Sequence, residues 1–208
     1  MAWTYIITNT IPWTYTTDQR AHDNMQIVWN FFRGKGMTEE AVAGIMGNMT
    51  YEGICNPGQV ELGGDINDIV HVGRGLIGWT GVVHDGGIDK QKLVYWGEQY
   101  GTDWYDGQMQ IQLIWDNPGN SQFFPNPDHG YTYTWGIGPG SYGELLDVQE
   151  AVYAYFWEAE RGTASTLPTR VTMANFWLNE FHGTGPGQTL PLWMMGGREV
   201  LRRLIIHA

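Results

Sequence analysis

Cysteine is almost missing from this 208-residue chain, Cys55 being the only one. A single thiol cannot form an internal disulfide, and nothing suggests a Cys-rich metal site, so the chain suits folding in a reducing compartment. Basic residues are also scarce, with 11 Lys and Arg against 22 Asp and Glu and a net charge of −11. Phosphate binding needs the opposite balance, which excludes nucleic acid as a partner. The same balance gives no attraction to anionic cell walls, so any grip on such a substrate must come from hydrogen bonds, stacking or another protein. No apolar run is long enough to span a membrane. Residues 1–16 have neither a basic segment nor a continuous apolar one, so they do not read as a secretory signal, and a role outside the cell would require delivery by something else.

What is present fits a globular domain. The hydrophobic fraction is 42%, enough for a sizeable core, and the length allows one full domain with a small extension. With 29 Gly and 11 Trp, loops and aromatics are over-represented. Residues 3–16 are β-branched and aromatic but broken by Pro12, which predicts an extended arm or a short edge strand. Thr17 or Asp18 can cap a helix whose face carries Met25, Val28, Trp29 and Phe32, with Gly34 as its stop. Thr38 can cap a second helix running to about Glu52, with Gly53 as its stop, and Glu39 and Glu40 favour its first turn. Ala41, Ile45, Met49 and Glu52 share one of its faces, as does Asn48. Residues 53–88 read as glycine-rich loops with a short hairpin. Helical patterns return at about 88–100, 106–116, 144–160 (capped by Ser141), 169–181 and 197–207. The Gly/Pro/aromatic stretch 117–142 is long enough to predict a functional or interface-forming loop.

The segment AGIMGNMTYEGICNPGQ, Ala43 to Gln59, carries the chemistry. A carboxylate ends a helix and is followed by a glycine and an Asn-Pro turn. The helix C-terminus carries partial negative charge, which disfavours an ionised Glu52. Burial beside Ile45, Met49 and Tyr51 would act in the same direction. A carboxyl kept protonated near neutral pH is what a glycosidic oxygen needs as proton donor. An exposed Glu at a helix end is the plainer alternative. In the second segment, VGRGLIGWTG (Val72 to Gly81), glycines let backbone amides approach a ligand, and Trp79 offers a flat face to a sugar ring. A glycine-rich hairpin with a core tryptophan is the plainer reading there.

Taken in order, Gly44, Gly47, Asn48 and Glu52, then Asn56 and Pro57, then Gly73, Gly75, Leu76, Trp79 and Thr80 resemble the phage tail lysozymes. That family's pattern is a GxxGNxxxE helix end, an NP turn, a GxGLxQWT hairpin, a glutamine-bearing helix and a later helix ending in ER. Gln108 or Gln112 looks like the helix glutamine, and Glu160–Arg161 looks like the ER. The resemblance spans about residues 20–162. It implies a mainly α, lysozyme-like α+β fold: a helical core with a small β-hairpin beside the active-site cleft. It divides the chain into a catalytic domain with an N-terminal arm (1–162) and a C-terminal helical extension (163–208). The implied activity is cleavage of the β-1,4 bond between N-acetylmuramic acid and N-acetylglucosamine, with Glu52 on the catalytic acid and no metal or other cofactor. Asn48, Tyr51, Asn56, Gly75 and Trp79 are the candidate substrate-binding residues. Three positions depart from the pattern: Gly78 stands for the hairpin glutamine, Gly53 for a serine after the acid, and Gly162 for a proline after ER.

A second carboxylate would activate water, and Asp65 or Asp68 is the choice ahead of Glu61. A transglycosylase that uses the sugar's own 6-hydroxyl is also open. Glu160–Arg161 reads as a buried structural pair. The six histidines show no metal-ligand spacing, and Cys55 reads as a small buried residue although it lies near Glu52. Two functions follow from the resemblance. One is a muramidase carried in the virion at the tail tip, bound to other tail proteins and acting on peptidoglycan glycan strands while DNA is delivered. The other is a tail component that keeps the fold without the chemistry. A lysis-stage endolysin shares the absence of a secretory signal.

Overall fold

The computed structural model describes residues 2–68, 71–80, 82–85, 88–116, 142–157 and 163–183. Six α-helices make up about half of them: α1 (Gln19–Gly34), α2 (Glu39–Gly53), α3 (Lys92–Tyr100), α4 (Gly107–Asp116), α5 (Val148–Tyr155) and α6 (Leu167–Phe181). The expectation of a mainly helical chain therefore holds. Two short strands, β1 (Val82–Asp85) and β2 (Ile88–Gln91), pair antiparallel with Val82 opposite Gln91. Residues 74–79 form a tight turn closed by a single Arg74–Trp79 bridge.

Local chemistry sets the first two helices. The Asp18 side chain accepts from Arg20 N and starts α1. Thr38 Oγ1 accepts from Ala41 N and starts α2. Helix α1 buries Met25, Val28, Trp29 and Phe32, the face read from its periodicity.

Helix α2 differs from its expected form. It does not present one apolar face: every residue from Ala41 to Thr50 is buried. Small and apolar side chains all round make it the central helix, with α1, α5 and α6 packed against it. Gly44 and Gly47 allow that close approach. A Cβ on Gly44 would lie 2.6 Å from Ala151 Cβ of α5, and one on Gly47 would lie 2.6 Å from the Arg170 carbonyl oxygen of α6. Gly47→Ala is expected to destabilise the fold by about 2–3 kcal/mol, because a backbone oxygen cannot swing aside. Gly34→Ala meets nothing within 4 Å and should change stability by less than about 1 kcal/mol. Urea unfolding of the two variants checks the contrast.

Helix α6 lies beyond residue 162 yet belongs to the same core. Trp177 and Phe181 stack with ring centroids 5.7 Å apart, and Phe181 lies 5.5 Å from Trp29 of α1. Trp177 Nε1 donates to Thr50 Oγ1 of α2 at 2.7 Å. The helix expected from Ser141 starts later, at Val148. A 3-10 turn, Tyr142–Glu144, comes first, and Asp147 caps α5 by accepting from Glu150 N.

The N-terminal segment is an extended arm with one parallel bridge, Thr8 to Gln59. Two buried amides clamp it. Asn24 bonds Thr4 N and Thr4 O, and Asn56 bonds Ile6 N and Ile6 O. All but the last residue of the loop expected over 117–142, the Glu160–Arg161 pair and the helix expected at 197–207 lie outside the described residues.

Candidate active site

The end of α2 and the tight turn meet at a cavity of about 740 Å³. Its walls come from the arm (Ile11, Trp13, Tyr15), from α2 (Tyr51, Glu52) and from Glu61 with the turn residues Gly73, Arg74, Gly75 and Gly78. Met173 of α6 adds to them. Glu52, Tyr51 and Gly75 are thus brought together.

Glu52 is not buried among Ile45 and Met49, which are closed into the core. Its side chain is 28% exposed and turns to Arg170 of α6, whose own side chain is 1% exposed. Arg170 Nη2 donates to Glu52 Oε1. Its Nη1 donates to Asn48 Oδ1 at 3.0 Å and its Nε to Thr166 Oγ1 at 3.1 Å. The guanidinium also lies against two rings, with its carbon 4.3 Å from the Tyr51 centroid and 4.9 Å from that of Phe156. All three nitrogens are bonded and two rings contact the cation, which makes a buried ion pair tolerable. The pairing outcompetes apolar burial and leaves Oε2 as the free oxygen of Glu52.

That second oxygen lies against the turn. A Cβ on Gly78 would be 3.2 Å from Glu52 Oε2, and Gly78 adopts φ +61°. A glutamine here would meet both backbone strain and the carboxylate, so Gly78 leaves Oε2 uncovered. Gly53 has a matching reason. A Cβ there would be 2.6 Å from Gly75 O and 2.7 Å from Leu76 Cα, so no serine fits without moving the turn. With Gly53 used for this contact, the left-handed cap falls to Ile54 and then Cys55, at φ 50° and 59°. Such angles are costly for a β-branched residue. Trp13 Nε1 holds the Ile54 carbonyl at 2.6 Å and Asn24 Nδ2 holds that of Cys55 at 2.9 Å.

Other candidates serve the frame. Asn48 is fully buried, and its Nδ2 donates to Gly44 O and Val152 O. Asn56 is committed to the arm, and Trp79 is 4% exposed within the core, so its flat face is covered. Asp65 accepts from Asn67 N at 2.9 Å, and Asp68 accepts from His71 N at 3.0 Å and pairs with the His71 ring. Neither aspartate lines the cavity. The helix glutamine that matters is Gln110, not Gln108 or Gln112. Buried in α4, it accepts from Leu76 N and donates to the carbonyls of Pro57 and Trp104.

Arg170 had a readable signal. Leu167, Arg170, Ala174, Trp177 and Phe181 are the buried positions of α6. An arginine at core spacing demands an anionic or carbonyl partner. The identity of that partner carried no local signal. Burial pushes the Cys55 thiol up to about 12, although a hydrogen bond from Thr50 opposes it. Native protein is expected not to react with a chromogenic disulfide reagent at about pH 8, and denatured protein to react fully; fast reaction of the native thiol would contradict its reading as a buried, inert residue.

Among the described residues no cluster of metal-ligating side chains occurs, and no helix is long and apolar enough to cross a membrane. A model of the phage tail lysozyme family matches residues 23–181. Morphogenesis protein 1 of Bacillus phage B103 is 27% identical over 164 residues, a stretch that covers 78% of this chain and 40% of that protein. The chain therefore spans less than half the length of that relative. The family match starts inside α1, after the arm, and ends with the last residue of α6. A match over that much of the sequence, with Glu52, the turn and Arg170 inside it, means that the chain belongs to the phage tail lysozyme family.

Proposed function

We propose that this chain is a muramidase that cleaves the β-1,4 bond between N-acetylmuramic acid and N-acetylglucosamine in peptidoglycan. The observation that carries the reading is the division of the Glu52 carboxyl. Oε1 is held by Arg170, and Oε2 faces an open cavity over a glycine. A proton on Oε2 can pass to the leaving glycosidic oxygen, while the fixed guanidinium stabilises the carboxylate that forms. Tyr51, 38% exposed beside Glu52, offers a ring edge to the sugar. The β-structure after the turn completes the cleft in this reading. The domain extends through Phe181, since α6 supplies Arg170.

The family and the phage relative support a virion-borne role, with glycan strands as substrate and other tail proteins as neighbours. A structural tail component that has kept the fold is the second reading. One observation favours it: Glu52 closes an ion pair, as a purely structural carboxylate does. Zymography on purified cell walls separates the two. The muramidase gives a clear zone that Glu52→Gln abolishes. No clearing by either form across several wall types would support the structural role.

A further inference from the structure

We infer that Glu61 is the carboxylate that activates water for this reaction; the inference rests on the muramidase reading of the site. Three acids stand between Glu52 and the turn. Asp65 and Asp68 spend their oxygens on local backbone and on His71, outside the cavity. Glu61 lines the same cavity as Glu52.

Its position is fixed from two sides. Glu61 N donates to Gly73 O at 2.8 Å, and Gly73 N donates to Glu61 Oε2 at 3.3 Å. The neighbouring Val60–Arg74 bridge continues this pairing. From Gly73 the contacts lead to the acid. A Cβ on Gly73 would lie 3.3 Å from Gly78 O and 3.6 Å from Glu61 Oε2, and one on Gly78 would lie 3.2 Å from Glu52 Oε2. Gly73 and Gly78 thus link the two carboxylates along one wall of the cavity, where Thr80 Cγ2 also lies 3.3 Å from the Gly73 Cβ position. Residue 61 is exposed, and its carboxylate accepts a single backbone N–H. A solvated carboxylate with spare lone pairs is suited to taking a proton from water.

The step balances without a further reactant. Water attacks C1 of N-acetylmuramic acid and gives its proton to Glu61. Glu52 gives its proton to O4 of the leaving sugar as the C1–O4 bond breaks. Glu61 then releases its proton to solvent, and Glu52 takes one up. Carboxyls split by a backbone segment suit an inverting pair, in which they stand roughly 6.5–9.5 Å apart. The first product is then the α-anomer of the reducing N-acetylmuramic end.

The test uses the full chain on purified glycan strands, with early products followed by proton NMR and mass spectrometry. Wild type is expected to release the α-anomer first. Glu61→Gln keeps an acceptor for Gly73 N and so should fold. Its kcat is expected to fall by about a hundredfold or more, with KM changed less than about threefold. Azide needs no base and should restore turnover as an α-glycosyl azide, a result that a merely structural role would not give. Wild-type kcat in Glu61→Gln, a loss that azide does not rescue, or a loss in Asp65→Asn or Asp68→Asn instead would overturn the assignment. Anhydro-muramic ends that depend on Glu52 would remove Glu61 from the chemistry and leave bond cleavage by Glu52 in place. No product from wild type would defeat the muramidase reading itself.

Discussion

Glu52→Gln is expected to slow the solubilisation of purified peptidoglycan by about a thousandfold while the chain stays folded. The amide keeps the shape of the carboxyl and an oxygen for Arg170, but it has no proton to give the leaving sugar. The same change withdraws the counter-charge from a guanidinium whose side chain is 1% exposed. Stranding a fully buried cation costs roughly 3–5 kcal/mol. Here the amide oxygen still accepts, and the 28% exposure of residue 52 admits water, so about 1–2 kcal/mol is the expected loss. Denaturant unfolding measures that loss, and rates are compared at a temperature where both forms are native. A variant that is folded and still active at the wild-type rate would remove Glu52 from the chemistry.

Arg170→Met is expected to be the more damaging change for the fold, at about 3–4 kcal/mol. Its cation is the hub of three hydrogen bonds and two ring contacts that tie α6 to the end of α2. Without it, the Asn48 Oδ1 acceptor is left buried in the middle of the central helix. The exposed pair Arg20–Asp18 gives the contrast. With Arg20 44% exposed and its pair screened by solvent, Arg20→Met should leave stability nearly unchanged. Arg170→Lys keeps the charge but not the fork, so one ammonium cannot serve Asn48 and Glu52 together. Its stability should lie between wild type and Arg170→Met. If Arg170 also steadies Glu52 for proton transfer, kcat on glycan strands falls in Arg170→Lys while KM changes little.

Much of the frame was legible because it is local. Asp18 and Thr38 start their helices by hydrogen bonds two or three residues long, which a sequence states directly. The place of Glu52 at a helix end followed from the same reading. The start of α5 was misread because Ser141 and Asp147 are both good caps, and only packing decides between them. A cap gives no hint that a 3-10 turn will intervene. The partner of Glu52 is 118 residues away, across a position that read as a domain boundary. Polar residues posed the hardest case. Asn48, Asn56 and Gln110 are of the type that binds sugars, yet each is spent on buried backbone or on Arg170. Only the three-dimensional neighbours tell a structural amide from a ligand-binding one. Glycine worked the other way. Gly53 and Gly78 looked like departures from the family pattern, and each proves to be the residue its surroundings admit.

The most direct test is mass spectrometry of the soluble products from purified peptidoglycan treated with wild type and with Glu52→Gln. The expected result is reducing N-acetylmuramic ends released by wild type and none by the variant. Equal release by both forms, or none by wild type on any wall type, would contradict the assignment of Glu52 as the acid of a muramidase.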